Sequence, residues 1–308
     1  MRLEGIHHIT AITADARRNL DFYVRVLGLR FVKKTVNFDA PDAYHLYYGD
    51  ELGHPGSIMT FFEFVGVPQG RPGAGMIHRV SWRVTDEAAL DFWADRLAGE
   101  GIDSERGERT LRFADPEGLG IELAVSDAGD PPLAAEAADV PGERRLIGFD
   151  GVRAYAADPA ASAALLGEAL GFQPLGGGAW EVRGDERGAV YAYDEAPPEA
   201  GRPGAGTVHH IAWASPDEQH EDWRLHALRG GARVTPIIDR DYFRSIYFRE
   251  PSGVLFEIAT LGPGFTVDEP ADRLGESLQL PDQHEPLREG LERSLTPLQN
   301  PRPRVAAT

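Results

Sequence analysis

The sequence has no cysteine among its 308 residues. That excludes a disulfide framework, a thiolate nucleophile and a sulfur-ligated metal. No apolar run reaches the roughly 18 residues that a membrane-spanning helix needs. The opening stretch, MRLEGIHHIT, lacks the basic and apolar regions of a secretory signal, so the chain is read as cytoplasmic. Positive charge is scarce: 31 Lys and Arg stand against 49 Asp and Glu, a formal net charge of -18. Such a surface repels nucleic acid and anionic membrane, and neither is expected as a partner. Motifs of other chemistries are missing too. There is no GxGxxG or Walker string for a nucleotide and no GxSxG nucleophile elbow; the GGG at 176–178 is read as a loose turn.

What the sequence does have is repetition. The string GRPGAG occurs at 70–75 and again at 201–206. Each copy leads into a similar strand, MIHRVSWRV at 76–84 and TVHHIAWAS at 207–215, then a helical stretch rich in Asp, Glu, Ala and Leu. The second of these helices starts in SPDEQHEDW, where the acids and His220 suit a helix N-terminus. Each copy closes on a turn and a strand carrying a carboxylate, DPEGLGIELAV at 115–125 and EPSGVLFEIAT at 250–260. A fainter pair joins 5–64 to 148–193. The first begins with GIHHITAIT, alternating as a half-buried strand does. Its helix is predicted with Asp15 as N-cap, Leu20, Tyr23, Val24 and Leu27 on one face, and Gly28 as the stop; Gly171 is the matching stop in the second.

The chain thus reads as an α+β protein of four βαβββ modules in two tandem halves, with the modules paired into curled mixed sheets. The N-terminal half is 1–126 and the C-terminal half 147–262. The linker, 127–146, is rich in Pro, Ala and acid, and 263–308 forms a tail. Approximate module limits are 5–65, 76–126, 147–195 and 207–260. In the tail, PLREGLERSL is predicted as one helix, and the final residues are expected to be mobile.

This arrangement resembles the vicinal oxygen chelate superfamily of glyoxalases, bleomycin-resistance proteins and extradiol dioxygenases. The resemblance spans nearly the whole chain, through HHIT at 7–10, VHHIAW at 208–213 and LFEIAT at 255–260. Aligning the modules places His8, Arg79, Gly151 and His210 at one position of the first strand. On the last strand, Thr60, Glu122 and Glu257 correspond. Modules one and four therefore supply His8, His210 and Glu257, a two-histidine, one-carboxylate set of the kind non-heme iron(II) enzymes use. Modules two and three retain a lone Glu122, with Arg79 as a potential structural ion-pair partner. Alternation along a strand lets one histidine of each pair face the cleft; the resemblance selects His8 and His210 and leaves His7 and His209 at the margin. Iron(II) is the expected ion, with manganese, zinc and nickel as other occupants.

Within the superfamily, DFYVRVLGLRFVKKTVNFDAPDAYHLYYGDELGHPGSIMT at 21–60 and DRDYFRSIYFREPSGVLFEIAT, followed by LGPGFTVDE, resemble dioxygenases that open hydroquinone and chlorohydroquinone rings. That resemblance implies substrate-contact roles for His7, Thr10, His209, Arg240 and Tyr247, with His209 and Tyr247 as the catalytic groups. His209 is the preferred proton shuttle, because an imidazole titrates near neutrality. Tyr247, ten residues before Glu257, is expected on the adjacent strand, and Arg240 can hold an anionic ring oxygen. The implied reaction joins a small hydroquinone-like or catechol-like aromatic with dioxygen. Two alternatives stand beside it: a glyoxalase-like isomerase or thiol transferase, which calls for a fourth protein ligand, and a non-catalytic aromatic-binding or resistance protein. Oligomeric state is left open, a homo-oligomer being the common default.

Overall fold

Residues 1–302 are described by the computed structural model. In module one, β1 (Ile6–Thr13) is wholly buried. The Asp15 carboxylate caps α1 (Ala16–Leu20) by accepting the amides of Arg17 and Arg18. This helix widens into a π-helical segment, Asp21–Val26. Leu20, Tyr23, Val24 and Leu27 are all buried, as their spacing predicts. Gly28 ends the segment at φ +71°, a conformation that costs glycine little. The module is completed by β2 (Arg30–Asn37), β3 (Ala40–Gly49) and β4 (Ile58–Glu63).

The plan recurs three times. Module two runs β5 (Met76–Val84), α2 (Glu87–Gly99), β6 (Ser104–Arg106), β7 (Thr110–Ala114) and β8 (Gly120–Val125). Module three runs β9 (Phe149–Ala156), short helical turns, β10 (Gln173–Gly176), β11 (Ala179–Arg183) and β12 (Gly188–Glu195), the three glycines at 176–178 turning the chain at positive φ. Module four runs β13 (Val208–Ser215), α3 (His220–Arg229), β14 (Ile238–Asp239), β15 (Phe243–Arg249) and β16 (Leu255–Pro263).

The strands form two eight-stranded sheets. The first has the order β14-β15-β16-β13-β1-β4-β3-β2 and joins modules four and one; the second, β10-β11-β12-β9-β5-β8-β7-β6, joins modules three and two. Each sheet therefore draws on both tandem halves. At each centre two first strands run antiparallel, β1 against β13 and β9 against β5, flanked by parallel partners. The register supports the module alignment: Glu257 lies beside Ala212, and Ala212 opposite His8; Glu122 lies beside Ser81, and Ser81 opposite Gly151.

Each central strand carries one β-bulge, an extra residue facing a single partner step. The four extra residues are His7, His78, Asp150 and His209. Behind the sheets, Ile9, Phe61, Trp82, Trp93, Trp213 and Phe256 join the helices in one core. The tail helix forms as α4 (Arg288–Ser294). Upstream of it, Phe265 packs with Tyr47, Tyr242, Phe243 and Ala212 to plug one end of the first sheet's trough. Fully buried Lys33 fastens this plug, donating to Asp268 and Glu269 at 2.5 Å each and to the Phe265 carbonyl at 3.2 Å. The expectation of mobile final residues falls on 303–308, outside the described residues.

Candidate metal centre

Strand register brings together three residues that lie far apart in sequence. His8 Nε2 and His210 Nε2 are 3.2 Å apart, and Glu257 Oε2 lies 3.3 Å from the first and 3.0 Å from the second. All three side chains are buried. Among the described residues, no fourth His, Asp or Glu belongs to this group. Thr60 lies on the same sheet, but its hydroxyl is engaged with Thr10 at 2.8 Å and His45 at 2.9 Å.

The bulges explain the paired histidines. Strict alternation would turn His7 away from His8, but the extra residue re-aims it. His7 Nδ1 lies 2.9 Å from His8 Nδ1, and His209 Nδ1 lies 2.8 Å from His210 Nδ1. A carbonyl only accepts, so His7 Nε2 must donate to the Thr260 carbonyl, 3.0 Å away. Burial, and next the neighbouring His8, push the His7 pKa down to about 3, so this ring is neutral and its Nδ1 accepts. His8 Nδ1 then donates to it, and His8 Nε2 presents a lone pair to the centre. The His209–His210 contact repeats half of this relay.

The residues fit a divalent cation. Burial alone would raise the Glu257 pKa, but positive charge shared with His8 and His210, carried by protons on their Nε2 atoms or by a cation in the place of those protons, outweighs it and holds the carboxyl well below its usual range. Ser245 donates to Oε1, while buried Oε2 faces the Nε2 atoms of His8 and His210. Electron-rich atoms converging in this way, with little exposure to solvent, call for a positive charge between them. Imidazole and carboxylate together suit iron, manganese, zinc or nickel.

A cavity of about 460 Å³ opens over His8 and His210, lined further by His45, Phe62, His209, Arg240 and Tyr247. Tyr247 stands directly opposite Glu257, on the adjacent strand that its ten-residue spacing predicts. Arg240 donates to the Tyr247 hydroxyl at 3.2 Å, and its guanidinium lies 5.4 Å from the ring centres of both Phe38 and Tyr247. Burial, then Glu257, raises the Tyr247 phenol above its usual range, so the group stays protonated.

Three expectations need correction. His7 and Thr10 do not line the cavity: both His7 ring nitrogens are engaged, by His8 and by the Thr260 carbonyl, and the Thr10 hydroxyl is engaged by its register partner Thr60. His209 lies on the cavity wall but does not titrate near neutrality. Desolvation, and next His210, pull its pKa down to about 4. His45 was not expected in the site. Its Nε2 meets Thr60 and its Nδ1 meets the Tyr47 hydroxyl at 2.8 Å. The signal lay in YHLYY, where His45 and Tyr47 alternate on one face, but nothing local set the register of β3 against β4.

Residues 5–123 and 148–258 match the family model described as Glyoxalase/Bleomycin resistance protein/Dioxygenase superfamily. The chain belongs to this superfamily. Among its relatives, a Bacillus subtilis protein bearing the provisional name ring-cleaving dioxygenase MhqO is 42% identical, the match covering 96% of each chain. The chlorohydroquinone/hydroquinone 1,2-dioxygenase of Sphingobium indicum is 33% identical, again over 96% of each. The crystal structure of a provisionally named dioxygenase from Bacillus subtilis superposes with a TM-score of 0.91 at 40% identity, covering 98% of this chain and 99% of that one. Glyoxalase I of Zea mays shares the superfamily fold alone, with a TM-score of 0.59 at 15% identity over 83% of this chain and 92% of that one.

Proposed function

We infer that this superfamily member is an iron(II)-dependent dioxygenase that cleaves the ring of hydroquinone-like aromatics. The observation carrying this reading is the buried His8–His210–Glu257 group at the floor of a cavity that also holds Arg240 and Tyr247. Relatives named for ring cleavage and for hydroquinone support it. Iron(II) held by those three residues would supply a common meeting point for the substrate oxygen and dioxygen, and electron transfer between them. With three protein ligands, room remains for both reactants. Among the described residues, the group holds no fourth ligand of the kind expected of a glyoxalase-like isomerase.

The protein's own part is orientation and charge. A hydroquinone carries its oxygens on opposite sides of the ring, so only one can reach the metal. Arg240 is permanently cationic and holds the remote oxygen in its anionic form. Tyr247, kept protonated, donates to a substrate oxygen. Phe62 and Phe243 flank the ring and exclude water. His209 acts as a donor: for His210 to offer Nε2 to the metal, its Nδ1–H must be given to His209 Nδ1, leaving the His209 proton on Nε2.

The test is anaerobic reconstitution with iron(II), followed by oxygen uptake with hydroquinones and catechols. Hydroquinone is expected to have the higher kcat/KM. A catechol advantage of about tenfold or more overturns the hydroquinone assignment. No oxygen uptake with any aromatic overturns the dioxygenase reading.

A further inference from the structure

Beside the main cavity lies a second chamber of about 260 Å³, sharing His209, His210 and Leu255 with it. It continues the trough of the first sheet away from the Phe265 plug. Its walls are mostly apolar, with Ile12 from β1, Val208 from β13 and Met76 from module two closing over them. One charged side chain reaches it. Arg249 stands opposite Leu255 in the β15–β16 hairpin and shares a face with Tyr247 two residues before it. Its Nη1 donates to the Gly253 carbonyl at 2.8 Å. Among the described residues no carboxylate pairs with it, in a chain whose net charge is -18. An apolar chamber with an unpaired guanidinium at its edge is complementary to a short aliphatic chain ending in an anion.

We propose that this chamber is a subsite for a ring substituent, so that the preferred substrates are hydroquinones carrying a short aliphatic chain with a terminal carboxylate or similar anion. The inference rests on the hydroquinone reading above. The ring lies over the metal group, the chain passes Leu255 into the apolar chamber, and Arg249 receives the anion. Simple hydroquinone fills the main cavity alone.

The test measures anaerobic binding of hydroquinone, propylhydroquinone and carboxyethylhydroquinone to the metal-loaded protein by calorimetry, with oxygen uptake recorded in parallel. The expected order of affinity is carboxyethyl, then propyl, then unsubstituted. Arg249→Ala should weaken the carboxyethyl compound by about tenfold or more and leave the other two within about twofold, as expected for loss of a charge-assisted hydrogen bond. Val208→Phe, which fills the chamber, should weaken both substituted compounds and spare hydroquinone. Equal affinity for all three compounds, or a uniform loss in Arg249→Ala, overturns the proposal. So does a Val208→Phe variant that changes only the KM for oxygen, which would make the chamber a gas path. Failure of oxygen uptake with ordered binding intact would sink the dioxygenase reading and leave the subsite standing.

Discussion

The two sheets share strand order, bulge positions and register, yet among the described residues only the first gathers a histidine–carboxylate group that could hold a metal. At the position of His210 the second sheet has Arg79, and at that of His8 it has Gly151. Glu122 matches Glu257, but its surroundings are reversed. Arg112 donates to Glu122 Oε2 at 2.7 Å, Ser81 donates to Oε1 at 3.0 Å, and Arg79 stands 3.9 Å away. The Arg79 pairing anticipated from sequence is thus the looser of two, with Arg112 the nearer partner. The bulge residues diverge likewise. His7 and His209 orient neighbouring histidines, whereas His78 pairs with Asp194 and Asp150 with Arg83. The same backbone cradle can therefore be neutralised by protein cations or left for an external one. The choice rests on whether a carboxylate's neighbours bring hydrogens or lone pairs.

That contrast can be broken most severely at the carboxylates. Glu257→Ala should abolish iron retention and oxygen uptake, while Glu122→Ala should keep about one equivalent of iron per chain by elemental analysis. Equal loss in both would overturn the distinction. Next, Arg240→Ala should reduce kcat/KM for hydroquinone by about 1.5–3 kcal/mol through loss of a charge-assisted hydrogen bond, with iron content unchanged. His7→Phe should weaken iron affinity by about 10–100-fold, because His8 loses the acceptor that fixes its tautomer. Asp150→Asn, at the equivalent bulge, should leave affinity unaltered in the same chelator competition. A smaller effect concerns packing in the second sheet. A Cβ at Gly151 would stand 2.2 Å from the Val190 carbonyl, so Gly151→Ala should lower stability by about 1–3 kcal/mol in urea unfolding without touching iron.

The smallest effect is read with acid. Burial, and next Arg244, lower the pKa of His220, at the start of α3, from 6.5 to about 4. The unfolded chain binds the proton more readily, so this contribution to stability is complete above pH 6.5 and fades as pH falls through about 4. Asp194 of the second sheet is lowered from 3.8 to about 2, first by its hydrogen bond from Arg153. Its contribution persists until pH drops below 3.8. Amide protection around α3, corrected for the intrinsic pH dependence of exchange, should therefore fall between pH 6.5 and about 4.5, and His220→Gln should remove that fall.

Sequence carried the architecture well because duplication is a long-range signal written in local strings: the repeated GRPGAG and the HH-containing strands align the modules without any contact being known. The same alignment singled out His8, His210 and Glu257 for proximity. It could not reveal His45, since strand pairing within a module is set by loop geometry. Nor could it place His7 behind His8. Alternation is the default for a strand, and a bulge is one extra residue with no sequence mark of its own here. Arg240 and Tyr247 were found by resemblance, and the ring contacts that hold Arg240 depend on Phe38, brought across from module one.

The crossing of tandem halves has a consequence for how the polypeptide is made. The second sheet joins neighbours in sequence and can close once module three has left the ribosome. The first sheet waits. Its earliest strand bears His8, but the partner strands carry His210 and Glu257, and the Lys33 anchor needs Asp268 and Glu269. During that interval β1 can pair with β4 of its own module, but its other edge, which β13 later covers, has no neighbour, and contacts of such long sequence separation form slowly. The group of His8, His210 and Glu257 thus comes together only after module four has been synthesised.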